Sequence, residues 1–144
     1  MVVVVEKMKQ VLGEEHPDTL KSMGNLVAIV YRNQGQWKET EALEVVVVDK
    51  MKQELGVEHP DTLTSIDNLA ATYRKQDQWK KAESLEVVVV QKRQQTLGEE
   101  HFDTLTSMRN LAATYRNQGQ WKDAEALEVV VEKVKQELVE AIED

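Results

Sequence analysis

Four residue types that could carry chemistry recur along this 144-residue chain at a nearly constant spacing. Histidine stands at His16, His59 and His101, each time opening a His-x-Asp-Thr-Leu string. Carboxylates recur at Glu41, Glu83 and Glu125, tryptophans at Trp37, Trp79 and Trp121, and asparagines at Asn25, Asn68 and Asn110. Imidazoles raise the question of a metal, which needs several donors converging within about 2 Å of one ion. Equivalent positions in successive repeats are held a helix pair apart, and no unit has two histidines at helical spacing. No metal site is expected. Acid–base catalysis fares no better, because the three glutamates fall on the polar side of amphipathic segments, where carboxylates are simply solvated. There is no Ser-His-Asp set and no Gly-rich phosphate loop. The expectation is a chain that is not an enzyme and takes no cofactor.

The elements that hold these residues follow from the repetition itself. Tryptophan and tyrosine (Tyr31, Tyr73, Tyr115) both recur every 42 residues. Residues 59–100 and 101–142 are identical at 25 of 42 positions. Within a unit, Leu63, Ile66, Leu69, Ala70 and Tyr73 are spaced by threes and fours, predicting a first helix from about Pro60 to Gln76. Pro60 suits the first helical position and Asp61 suits the positive end of the helix. The pattern breaks at Asp77, whose equivalents are Gly35 and Gly119, residues fit for a left-handed cap. A second helix is predicted from about Trp79 to Leu97, with Trp79, Ala82, Leu85, Val89 and the stem of Arg93 on one face. Tryptophan at the start of that stripe is expected to pack between helices.

Val45 to Val48 and Val87 to Val90 look like strand by propensity. They lie inside longer helical patterns without turn signals, so helix is expected, with one or two valines of each run exposed or meeting a neighbouring unit. The chain begins as the end of a second helix, giving seven helices in all. The layout expected is a single repeat domain over residues 1–144. Residues 1–13 are a trailing second helix, 14–56, 57–98 and 99–144 are three repeats, and the last helix runs on as a C-terminal cap. One irregularity lies between Leu26 and Tyr31, where Val27-Ala28-Ile29-Val30 replaces the three residues Ala70-Ala71-Thr72. One added residue rotates a helix by about 100°, so a π-bulge or register shift is expected there.

Bulk properties narrow the function classes. Acidic residues outnumber basic ones by 26 to 18, for a net charge of −8. That balance argues against nucleic acid and against anionic membrane surfaces as partners. The absence of cysteine excludes disulfides, thiolate zinc sites and a cysteine nucleophile. The longest apolar run is four valines, far short of the ~20 residues of a membrane span. A cytoplasmic location is the default expectation.

The string GEEHPDTL…NLA…YRNQGQWK.AE.LE resembles the tetratricopeptide repeat in its 42-residue form, known from kinesin light chains and from the C-terminal arrays of signalling NTPases. The resemblance covers nearly the whole chain. Kinesin light chains usually have Tyr or Phe where Trp37, Trp79 and Trp121 stand, so the NTPase arrays look closer. Thr40 in place of Ala82 and Ala124, Asp77 in place of Gly, and Phe102 in place of Pro are departures. The resemblance implies an all-α fold, a right-handed α-solenoid of stacked antiparallel helix pairs whose concave face is lined by first helices. It also implies a scaffold that binds an extended peptide or a partner helix in that groove.

Asparagine is a poor residue for a helix interior, because its amide competes for backbone bonds. By the family analogy Asn25, Asn68 and Asn110 face the groove and hydrogen-bond a bound peptide. The alternative is a structural bond between adjacent repeats. The same analogy places Arg74, Lys75, Arg109, Arg116 and Asn117 nearby, a strip more basic than the chain average and complementary to an acidic ligand or a C-terminal carboxylate. Salt bridging to the acidic surface is the competing role for these cations. A second reading of the whole chain is self-assembly, as a homo-oligomer stacking end to end or swapped through its end helices. The high internal identity would also suit a designed consensus chain or part of a larger repeat array.

Overall fold

The computed structural model describes Ile29 and residues 35–143. Asn25, His16, Gly24, the leading helix at 1–13 and the irregularity between Leu26 and Tyr31 lie outside the described residues, apart from Ile29, which is helical and exposed. Five of the seven predicted helices are described: α1 (Trp37–Leu55), α2 (Pro60–Lys75), α3 (Trp79–Leu97), α4 (Phe102–Asn117) and α5 (Trp121–Glu143). There is no strand among the described residues. The valine runs are helical, as expected from their context. Val47, Val48, Val89 and Val90 are buried and the other four are half-buried, so none of the eight is exposed. The expectation of valines that are exposed or meet a neighbouring unit holds in its second form, since Val90 packs among Leu105, Met108 and Leu111 of the next repeat.

The first helices start where a histidine caps them. His59 and His101 have extended backbone, and their Nδ1 atoms accept the N–H of Asp61 and Asp103 at 3.1 and 3.0 Å. This satisfies one of the four amides that a helix N-terminus leaves orphaned. Proline is dispensable here, since α4 begins at the same place with Phe102. The first helices end in a left-handed residue, Asp77 at φ 59° and Gly119 at φ 76°. Gln120 N–H then donates back to Tyr115 O at 2.8 Å, closing the last turn of α4.

The chain divides into two compact units, Met1–Asp77 and Gln78–Asp144. In the first, α1 packs on α2. Val47 and Met51 of α1 are buried, as are Leu63, Ile66, Leu69 and Ala70 of α2. In the second, α4 packs on both α3 and α5. Its core joins Val90, Leu105, Met108, Leu111, Val131 and Val134, with Tyr115, Leu127 and Leu138 against it. Each fully buried aliphatic side chain contributes roughly 1.5–3 kcal/mol, so this contact outweighs any local helix preference. α5 runs to Glu143, as its sequence departure predicted.

Candidate functional site

The predicted strip lies on the unburied sides of α2 and α4. On α2, Asn68 and Arg74 are half-buried and Lys75 is exposed. On α4, Asn110 is half-buried, and Arg109, Arg116 and Asn117 are exposed. Asn117 Nδ2 donates to Ala113 O of its own helix at 2.8 Å. On α2 the cations follow Asn68 by six and seven residues, and on α4 Arg109 precedes Asn110 and Arg116 follows it by six.

Within the second unit, α4 and α5 border a cleft of about 330 Å³. Arg109, Ala113 and Arg116 form one wall, and Glu128, Glu132 and Lys135 form the other. Arg116 spans it, donating from Nε and a terminal nitrogen to both oxygens of Glu128 at 2.5 and 2.6 Å. A guanidinium matches a carboxylate in this two-bond geometry. The bond holds the Glu128 carboxyl below the usual carboxylate range and raises the Arg116 guanidinium. Arg116 also lies over the Trp121 ring, 5.5 Å from its centroid.

The tryptophans divide. Trp37 and Trp79 are half-buried, whereas Trp121 is 58% exposed and serves as a platform for Arg116 rather than as interhelical packing. The expected solvated carboxylates divide too. Glu125 is exposed, but Glu41 and Glu83 accept from the side-chain amides of Gln76 and Gln118, each at 2.9 Å. Among the described residues no group of three or more acidic or histidine side chains could hold a metal. No described helix is long and apolar enough to cross a membrane.

Sequence reasoning missed a buried polar network. Glu44 and Glu86 are buried and accept from Thr72 and Thr114, the second at 2.5 Å. Arg93 is buried along its stem, as expected, and its guanidinium donates to Ser107 Oγ at 2.6 Å. Thr62 and Thr104 donate to the carbonyls of Met51 and Arg93. The available signal was the recurrence of Glu before the valine runs at Val45 and Val87 and of Thr before Tyr73 and Tyr115, 28 residues apart. Tyr73 and Tyr115 sit beside this network. Burial, then the nearby carboxylates Glu41 and Glu44, push the Tyr73 phenol up, and burial with Glu83, Asp123 and Glu86 does the same for Tyr115.

Comparison with known proteins bears on what such a strip is for. The tetratricopeptide repeat family pattern matches residues 19–61, 62–103 and 104–139. Among solved structures, the chain is similar to the nearly identical TPR-like repeats of a Podosopora anserina protein described as a kinesin light chain. The identity is 34% and the TM-score 0.77, over 85% of this chain and 57% of that one. A point variant of the same protein matches at TM-score 0.78 with the same identity and coverage. The chain therefore spans 57% of the length of these relatives. BtubC (BKLC) from P. vanneervenii matches at TM-score 0.61 and 15% identity over 87% of this chain and 66% of that one, which shows a common fold alone. No curated protein matches. Repeats of the matched kind are protein-interaction scaffolds. Three successive matches over most of its length, on helices paired as in the solved kinesin-light-chain-like repeats, mean that the chain belongs to the tetratricopeptide repeat family.

Proposed function

We propose that the chain is a peptide-binding or protein-binding module without catalytic activity of its own. Its ligand is an extended peptide or partner helix held along the first helices by Asn25, Asn68 and Asn110. Arg74, Lys75, Arg109, Arg116 and Asn117 supply positive charge and further donors beside them, favouring an acidic ligand or one ending in a carboxylate. The supporting observation is that Asn68 and Asn110, 42 residues apart, stand half-buried on the unburied side of their helices beside these cations. An amide at that depth offers a donor and an acceptor to passing backbone without reading its sequence. Arg116 enters this role already paired with Glu128, so an acidic ligand would share or replace that carboxylate. In this reading residues 1–144 form one repeat domain working in the cytoplasm.

The test begins with panning a random peptide library on the intact chain. The best binder is then titrated, by fluorescence anisotropy, against wild type and against Asn68→Ala with Asn110→Ala. Loss of two backbone-directed bonds weakens binding by about tenfold or more, with circular dichroism unchanged. Undiminished affinity in the double variant, or equal loss of affinity and helicity, would remove the asparagines from the site.

A further inference from the structure

The unburied side of each first helix carries four matched places. On α2 they hold Thr64, Asp67, Ala71 and Arg74, spaced by threes and fours, so the four share one stripe. On α4 the same places hold Thr106, Arg109, Ala113 and Arg116. None of the eight is buried, whereas Leu63, Ile66 and Ala70 of α2 and Leu105, Met108 and Ala112 of α4 are. Three of the four places repeat the same residue type. The threonines also repeat their bond, Thr64 donating to Pro60 O at 3.0 Å and Thr106 to Phe102 O at 2.9 Å.

The remaining place reverses its charge. Asp67 is half-buried and Arg109 is exposed, and each directly precedes the repeat asparagine. The openness of this place does not depend on the last repeat, since α2 is followed by a further helix pair and Asp67 is still partly exposed. Nearby charges do not cancel the difference. Arg74 and Arg116 lie seven residues on, about 10 Å along the helix axis. That exceeds the Debye length of about 8 Å at physiological salt. Asp61 and Asp103, six residues before, are common to both helices and so distinguish nothing. Residues that repeat offer every segment of a ligand the same bonds. Only a place that differs can tell one ligand side chain from another, and a reversed charge does so by attraction to one sign and repulsion of the other.

We propose that Asp67 and Arg109 are specificity-determining residues of the first-helix strip. The α2 stripe selects a basic ligand side chain and the α4 stripe an acidic one, so the ligand is a peptide of mixed charge rather than a uniformly acidic one. This rests on the groove reading given above and refines it. Asp67 already has an interaction within the chain, but a carboxylate offers roughly four acceptor directions, so a ligand cation can join it. On α4, Arg116 is held by both oxygens of Glu128, which leaves Arg109 as the cation that carries the selection. Its guanidinium presents a planar fork of donors to a ligand carboxylate.

The test pans one random peptide library on wild type, on Asp67→Arg and on Arg109→Asp, each first checked for helicity by circular dichroism. Only binders weakened by Asn68→Ala with Asn110→Ala are kept. The wild-type pool is expected to be enriched in both Lys or Arg and Asp or Glu. The Asp67→Arg pool should lose the bases, and the Arg109→Asp pool should lose the acids. The best wild-type binder, with its base changed to Glu, should lose affinity for wild type by at least about fivefold and recover it against Asp67→Arg. If Asp67→Arg does not fold, Asp67→Asn replaces it and should erase the preference for a base without reversing it. Pools of the same charge composition from wild type and the Asp67 variant, or a wild-type pool acidic throughout, would each overturn the selection and leave the asparagine groove standing. So would failure of the exchanged pair to recover affinity. A library with no asparagine-dependent binder would instead remove the groove, and this selection with it.

Discussion

At the scale of single residues, the informative positions are polar groups that the helical pattern leaves off the apolar stripe and packing nevertheless buries. Thr114 and Glu86 are both buried, Glu86 to 1% exposure, and the glutamate accepts from the threonine. Removing a partner from a buried polar acceptor costs more than the bond's net worth, because the acceptor loses water without compensation. Thr114→Val keeps the shape and removes the hydroxyl. It is expected to destabilise the chain by about 1–3 kcal/mol in urea unfolding, whereas a surface threonine such as Thr96 changed to Val should alter stability by under about 0.5 kcal/mol. This layer was the least legible in the sequence. Thr and Glu are read as solvent-facing by any hydrophobic period, and their burial depends on the adjoining repeat rather than on their own helix. The asparagines were legible for the opposite reason, since a poor helix former recurring mid-helix stands out against its own local preference.

Among the described residues, the helices, as elements, were read almost in full. Spacing placed the second helix of the middle repeat from Trp79 to Leu97 and the first from Pro60 to Gln76, against an observed end at Lys75. The turns between them were legible because glycine marks a backbone that other residues resist. At Gly119 the added Cβ of an alanine would meet nothing within 4 Å, so its penalty is conformational alone. Gly119→Ala is expected to lower stability by about 1 kcal/mol and to leave helix content in circular dichroism unchanged. Asp77 already tolerates φ 59° at the equivalent turn, which fits the enrichment of short polar side chains in that region. What spacing could not supply was the role of Trp121. Its exposure follows from which elements surround it, and nothing in the local string distinguishes it from Trp79.

Over the whole molecule, the acidic balance and the tyrosines set the response to pH. Tyr73 belongs to one unit and Tyr115 to the other, and both phenols are pushed above 10 by burial and neighbouring carboxylates. A group whose folded pKa exceeds its unfolded value stabilises fully below the unfolded pKa and loses that contribution as pH rises through the folded one. Thermal unfolding midpoints should therefore fall as pH climbs above about 10. Tyr73→Phe with Tyr115→Phe should flatten that part of the profile, and an unchanged slope would assign the alkaline loss to other groups. At the acid end Glu128, with its depressed pKa, keeps its link to Arg116 until pH falls below the ordinary carboxylate range.

The recurrence of the same bonds 42 residues apart has a consequence for how such a chain can change over generations. Deleting residues 59–100 would bring Glu44 opposite Thr114 and Glu41 opposite Gln118, the same chemical pairs that the intact chain makes. Met51 would then meet Ser107, as it meets Ser65 now. Duplication of the same block would be absorbed in the same way. Slippage during copying of a repetitive coding sequence adds or removes whole periods, and here each such event leaves every junction chemically familiar. The number of repeats is therefore a quantity that inheritance can vary freely while the fold's local rules stay fixed.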